Sequence, residues 1–340
     1  LCHGISAFGS GRRICVGGFF GSDDDDTAPP FEEDDDPAPP DPRNEILGTD
    51  GNDTLSGDGN DLVRGGRGGD TMERTGNAEL RGGPGNDRLF ARDDVQAFGN
   101  SGDDSIRLAD NAQGFGGAGS DLIHAFEGSQ GYGRDGDDQL NARGTSTVYG
   151  EAGDDRILIE QEARPGAAGF GGEGDDSITL FPGAQGSADG GEGNDTIVAS
   201  GETTATGGPG DDRMEATGDA QVFGGLGNDI IDVGPGAEGS GGAGDDTLSF
   251  IQESGFLNPV QPGDGPTILR GGAGDDVLVL QLPPGAQVSG LRTEAVQGRD
   301  ALDIRFEVDM SDLSGGGDED TYTLRLDGIT SFDLANILTP

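Results

Sequence analysis

An aspartate returns every 17 residues along most of this chain. Asp53, Asp70, Asp87, Asp104, Asp121, Asp138 and Asp155 keep that step. Asp176 and Asp195 follow after 21 and 19, Asp212, Asp229 and Asp246 resume it, and Asp276 comes 30 later. Each aspartate ends a run close to G-G-x-G-(N/D)-D and is followed by x-aliphatic-x, as in Gly82-Gly83-Pro84-Gly85-Asn86-Asp87-Arg88-Leu89-Phe90. A repeat this short and this regular predicts a solenoid, in which each coil stacks on the one before.

The glycines allow positive φ and close approach of main-chain carbonyls, so the run predicts a tight turn. The x-aliphatic-x that follows predicts a short strand with its middle residue pointing inward. That position is occupied by Leu55, Met72, Leu89, Ile106, Ile123, Leu140, Ile157, Ile178, Ile197, Met214, Ile231, Leu248 and Leu278. Two residues further on lies a second inward row, running through Ala91, Leu108, Ala125, Ala142, Ile159, Leu180, Ala199, Ala216, Val233, Phe250 and Leu280. Phe98, Phe115, Tyr132, Tyr149, Phe170 and Phe223 recur in the other half of the coil. They are expected to form a third inward row, because aromatic side chains usually pack in cores.

Asp61 lies 8 residues after Asp53, on the opposite edge of the coil; stepping onward by 17 gives Ala78, Val95, Ala112, Ser129 and Ser146. The aspartate turns are therefore expected mainly on one edge, with plain tight turns such as Asp110-Asn111-Ala112-Gln113-Gly114 on the other.

Outside the repeats the chain changes character. Residues 1–44 hold two acidic runs, Asp23–Asp26 and Glu32–Asp36, among prolines, and read as a disordered leader. Residues 45–280 form the array, with an inserted loop expected at about 250–267 and smaller insertions near 160–164 and 180–186. Residues 281–340 lose the repeat and gain apolar alternation at Ala301–Val308 and Tyr322–Leu326, which predicts strands capping the open end of the solenoid. Cys2 and Cys15 lie outside the array and fit neither a zinc nor a CxxC spacing. The chain starts with Leu rather than Met, which suggests a missing N-terminus, and no apolar run approaches the ~20 residues of a membrane span.

Sixty-five acidic residues against 20 basic ones, all Arg, give a net charge of −45. Such a chain repels nucleic acid and anionic lipid. Adaptation to salt would explain acidity anywhere on the surface, but not aspartate held at one repeat position. Stacked strands lie about 4.8 Å apart, so thirteen aspartates in one column require cations between them. Calcium fits best, taking 6–8 oxygens from carboxylates and carbonyls, whereas magnesium demands a stricter octahedron. Zinc prefers His and Cys, which the array lacks apart from His124.

The nonapeptide resembles the RTX (repeats-in-toxin) calcium-binding motif, G-G-x-G-x-D-x-U-x with U aliphatic, over roughly residues 48–280. The resemblance implies an all-β, right-handed parallel β-roll or β-solenoid, here with 17-residue coils. It also implies calcium between adjacent turns, held by sixth-position aspartates and glycine-turn carbonyls. Carried over, the ligands are Asp53, Asp70, Asp87, Asp104, Asp121, Asp138, Asp155, Asp176, Asp195, Asp212, Asp229, Asp246 and Asp276. Asp61 matches the motif as well but has no stacked partner. Between ten and twelve calcium ions are expected; twelve would leave a net charge of roughly −21. Ser56, Thr49, Asn100, Arg134 and Glu151 replace motif glycines, and those turns are expected to bind more weakly.

Residues 322–338 are similar to the uncleaved signals of RTX proteins exported by bacterial type I secretion, which implies an extracellular protein and that machinery as a partner. A calcium-binding structural or interaction role is the first expectation. A cell-surface adhesin or matrix component, with a surface or matrix partner, is the alternative. So is the non-catalytic C-terminal part of a larger secreted protease or lipase. The chain has no H-E-x-x-H and no G-x-S-x-G, and about 44 residues precede the array, so it is not expected to be an enzyme.

Overall fold

The computed structural model describes residues 44–251 and 267–273, together with the backbone of strands Val277–Gln281, Gln287–Ala295, Ala301–Asp309 and Glu319–Asp327. The chain is a parallel β-solenoid. Each coil gives one strand to each of two sheets. The strand that follows the aspartate joins a 13-stranded sheet, from Thr54–Asp58 to Val277–Gln281. The strand that leads into the next glycine turn joins a second sheet, which starts at Glu45–Leu47.

Within the array every strand pairs in parallel with its counterpart one coil on, so repeat positions lie in register, as in Ile106↔Ile123↔Leu140. The longer steps at Asp176 and Asp195 leave this register intact. Their extra residues fall on the edge opposite the aspartates, between strands Arg156–Ile159 and Ala167–Glu173 and between Ser177–Leu180 and Gly186–Glu192. The inserted segment 252–266 lies outside the described residues. Beyond the last coil, Glu319–Asp327 pairs in parallel with Thr267–Ala273 and antiparallel with Ala301–Asp309, which in turn pairs with Gln287–Ala295.

The core is one side chain thick. The post-aspartate sheet supplies its bulk: Met72, Leu89, Ile106, Ile123, Leu140, Ile157, Ile178, Ile197, Met214 and Ile231 are fully buried, and the second aliphatic row is buried beside them from Ala91 to Phe250. The facing sheet supplies small residues, among them Ala97, Gly114, Gly131, Val148 and Gly169. A β-carbon on Gly131 would lie 2.7 Å from Ile123 Cγ2, and one on Gly114 would lie 2.8 Å from Leu108 Cδ1.

That closeness corrects the expected third core row. Phe98, Phe115, Tyr132, Tyr149 and Phe170 are only partly buried, Phe223 is 37% exposed, and all six lie on the outer face of the second sheet. Side chains alternate across a strand. In Gln113-Gly114-Phe115-Gly116 the glycines take the inward parity because no ring fits between the sheets.

The second aliphatic row also begins one coil earlier than its sequence suggested, at Arg74. This arginine is 1% exposed; its guanidinium lies 3.7 Å from where a β-carbon on Gly57 would stand, and Nη1 donates to the Glu73 carbonyl at 2.8 Å. On the opposite edge the plain turns use left-handed residues such as Asp110 (φ 56) and Asn111 (φ 69). Ala78, Val95, Ala112, Ser129 and Ser146, which follow Asp61 at the repeat step, are buried there.

Candidate metal centre

Local chain geometry builds the site. From the turn at Gly65 onward, glycines at the second and fourth positions have φ between about +110 and +150°, as at Gly83 (113°) and Gly85 (137°), which L side chains rarely adopt. These glycines also press on the turn before: a β-carbon on Gly83 or Gly85 would overlap the carbonyl oxygen of Gly66 or Gly68. The first glycine makes room for a carboxylate, since a β-carbon on Gly82 would overlap Asp87 Oδ2. Three turns hold a side chain in left-handed backbone at the second position: Asn100 (φ 82), Arg134 (φ 86) and Glu151 (φ 80).

Asp53 to Asp246 form one continuous column, and the two oxygens of each carboxylate differ. Oδ1 accepts the backbone N–H of the preceding column aspartate, at 2.7 Å from Asp87 to Asp104 and 2.8 Å from Asp138 to Asp155. The bond survives both longer steps, at 2.8 Å from Asp155 to Asp176 and from Asp176 to Asp195. Oδ2 points into the turn. In the ten aspartates from Asp70 to Asp229 it is buried and has no hydrogen-bond partner. At the head of the column Asp53 Oδ2 instead accepts from the Thr49 N–H (2.5 Å) and hydroxyl (2.8 Å).

A second ladder runs beside the first in the opposite sense. At the fifth motif position Asn or Asp Oδ1 accepts the backbone N–H of the following coil, as from Asp103 to Asn86 (3.1 Å), Asn194 to Asp175 (2.8 Å) and Asp245 to Asn228 (2.8 Å). The N/D preference at this position was visible in the motif, but its partner one coil away was not.

Burial dominates the electrostatics. It pushes the Asp87, Asp121, Asp176, Asp195, Asp212 and Asp229 carboxyls up to about 6. It takes Asp104 and Asp138 to about 7 and Asp155 to about 8. In each case the N–H bond opposes the rise and neighbouring aspartates add to it. Such a column is poised to accept positive charge.

The remaining candidates lie elsewhere. Asp61 stands on the opposite edge, where its Oδ1 accepts from Asn44 Nδ2 at 3.3 Å, and it does not join the column. Asp276 lies outside the described residues. His124 sits half-buried on the outer face of the post-aspartate sheet, 3.0 Å from Asn141 Nδ2.

The donors available in the turns are hard oxygens, one inward carboxylate oxygen per coil among glycine carbonyls, which suits calcium. Among the described residues no three Asp, Glu, His or Cys side chains converge, so backbone carbonyls must supply the rest of any coordination shell. The family model of the RTX calcium-binding nonapeptide repeat (four copies) matches residues 43–72, 74–95, 132–158, 206–237 and 262–279. The chain carries RTX calcium-binding repeats. The RTX segments include Asp53, Asp70, Asp87, Asp138, Asp155, Asp212, Asp229 and Asp276. Asp104, Asp121, Asp176, Asp195 and Asp246 fall between the matched segments yet occupy the same column with the same hydrogen bond. No curated protein matches the chain.

Proposed function

We propose that this chain is a secreted calcium-binding structural protein whose solenoid assembles as calcium enters its glycine turns. The observation that carries this reading is the run of ten buried, unpartnered Oδ2 atoms from Asp70 to Asp229. An unpaired buried carboxylate is costly, and a divalent cation beside each one removes that cost. The column aspartates would hold the ions together with main-chain carbonyls of the glycine turns. About ten to twelve ions are expected for this many turns. Metal binding and folding are then coupled, because the unfolded chain has no site.

Coupling of this kind suits export. A chain kept open by low cytosolic calcium would fold on meeting millimolar calcium outside the cell. The similarity of residues 322–338 to type I secretion signals supports the same route. Attachment to a cell surface or matrix is the second reading, favoured by the outward-facing aromatic row.

Calorimetric calcium titration, followed in parallel by far-UV circular dichroism, tests the proposal. Near ten ions per chain and a coil-to-β transition are expected. One or two ions per chain, or equal β content in chelator and calcium, would refute it.

A further inference from the structure

The outer face of the second sheet carries two neighbouring uncharged columns, bordered on one side by Arg134 and Glu151, on a chain whose net charge is −45. Gln96, Gln113, Gln130, Thr147 and Ala168 make one column, and Phe98, Phe115, Tyr132, Tyr149 and Phe170 the other. The rings stack on one another with centroids 4.8 to 5.0 Å apart and planes within 10° of parallel. Alongside, Gln96 Nε2 donates to Gln113 Oε1 (3.1 Å), Gln113 Nε2 to Gln130 Oε1 (2.9 Å), and the Tyr132 hydroxyl to Gln130 Oε1 (3.3 Å). The stretch ends at Arg81, whose guanidinium lies 5.5 Å from the Phe98 ring centre, and at Asp189, the register partner of Phe170; between them Arg134, from the adjoining column, places its guanidinium 5.0 Å from the Phe115 ring centre.

Stacking decides what this face offers. Ring faces are covered by the next ring, so ring edges point to solvent, and an aromatic edge is the positive end of its quadrupole. Beside the edges stand amide and hydroxyl groups. The surface therefore suits an uncharged, oxygen-rich ligand. A polyanion is disfavoured by the charge of the whole chain. The strip is about 20 Å long and two columns wide. That is a few hundred Å², short of the ~800 Å² per partner of a stable protein interface. A linear polymer escapes this limit, because it meets an equivalent rung at every coil and gains avidity from repetition.

We propose that this row is a binding track for a neutral β-linked polysaccharide lying along the solenoid axis. The track is on a sheet face, separate from the glycine turns, and goes beyond the calcium reading.

The test incubates the calcium-loaded full chain with insoluble cellulose and chitin, with immobilised alginate as the polyanionic comparison. Retention on cellulose or chitin but not on alginate is expected. Tyr132→Ala with Tyr149→Ala should weaken it about ten-fold. Because losing rings could loosen the stack, Gln113→Glu with Gln130→Glu provides a second variant that keeps every ring and adds charge; it should weaken retention similarly. Circular dichroism and calcium stoichiometry measured on both variants separate failure of the track from failure of the calcium reading. No retention on either neutral glycan would overturn the proposal. So would undiminished retention by a folded glutamate variant, equal retention on alginate, or a stable dimer in sedimentation that buries the row.

Discussion

The two oxygens of a column aspartate can be separated by substitution. Asp121→Asn keeps an Oδ1 acceptor for the Asp104 N–H but replaces the charged Oδ2 with an amide. The metal-free Asn variant is expected to melt above the metal-free parent, because a buried unpaired charge is gone, and to bind one or two fewer calcium ions. Asp121→Ala removes both functions and leaves that N–H without its partner, at a cost of roughly 1–3 kcal/mol. Thermal melts with and without calcium, together with titration stoichiometry, separate the two variants. The column also dictates a pH dependence. Asp104 and Asp138 rise from 3.8 to about 7 and Asp155 to about 8, with burial as the main cause. A carboxyl whose folded pKa is raised binds its proton more tightly in the fold, so its contribution is complete below about 3.8 and is lost as pH rises through the folded value. Metal-stripped protein is therefore expected to be most stable near pH 4 and to lose roughly 10 °C or more of melting temperature as pH rises from about 4 to 8. Calcium requires ionised carboxylates and should reverse the trend. Dichroism melts of both forms across this range check the sign.

Strands and turns depend on the division of bulk between the sheets. Gly131→Ala is expected to destabilise by about 1–3 kcal/mol, because its methyl would stand 2.7 Å from Ile123 Cγ2 in a core with no slack. Arg134→Gly should act in the opposite sense, since Arg134 holds φ 86 in a turn built for glycine. It should raise the melting temperature of the calcium-loaded protein, releasing strain of about 1 kcal/mol. Chemical denaturation of the two variants beside the parent measures both. Much of this level was legible in the sequence: the period, the aliphatic rows and the aspartate column all follow from counting. The aromatic row was misplaced because identity overruled parity, and the alternating glycines of Gln130-Gly131-Tyr132-Gly133 were the signal that would have corrected it. The ladder from each column N–H to the next Oδ1 was not legible, because it joins residues 17 apart that only stacking brings together. Arg74 was missed for another reason: a charged residue at the first rung of an otherwise apolar row lies outside any hydrophobic pattern.

At the scale of the molecule, stability in a solenoid is approximately a sum over coils and their nearest-neighbour interfaces. A coil contributes two inward side chains from the post-aspartate strand and one column aspartate, so each rung is weak alone and holds through its neighbours. Excision of residues 122–138 tests this additivity. The cut joins Asp121 to Gln139 and removes one rung from every column at once, among them Ile123, Ala125, Tyr132 and Asp138. Register is preserved because the coils before and after pair identically, Ser105 with Leu122 and Leu122 with Gln139. The shortened chain is expected to fold with calcium, to bind one ion fewer and to melt within a few degrees of the parent. Excision of residues 122–137 leaves an extra residue in the aspartate turn, forcing one 18-residue coil into a stack of 17. The added residue must bulge, the N–H to Oδ1 ladder breaks there, and the two halves of the array lose their shared register. That variant should bind at least two fewer ions and unfold in two steps, which calorimetric scans of the two deletions would resolve.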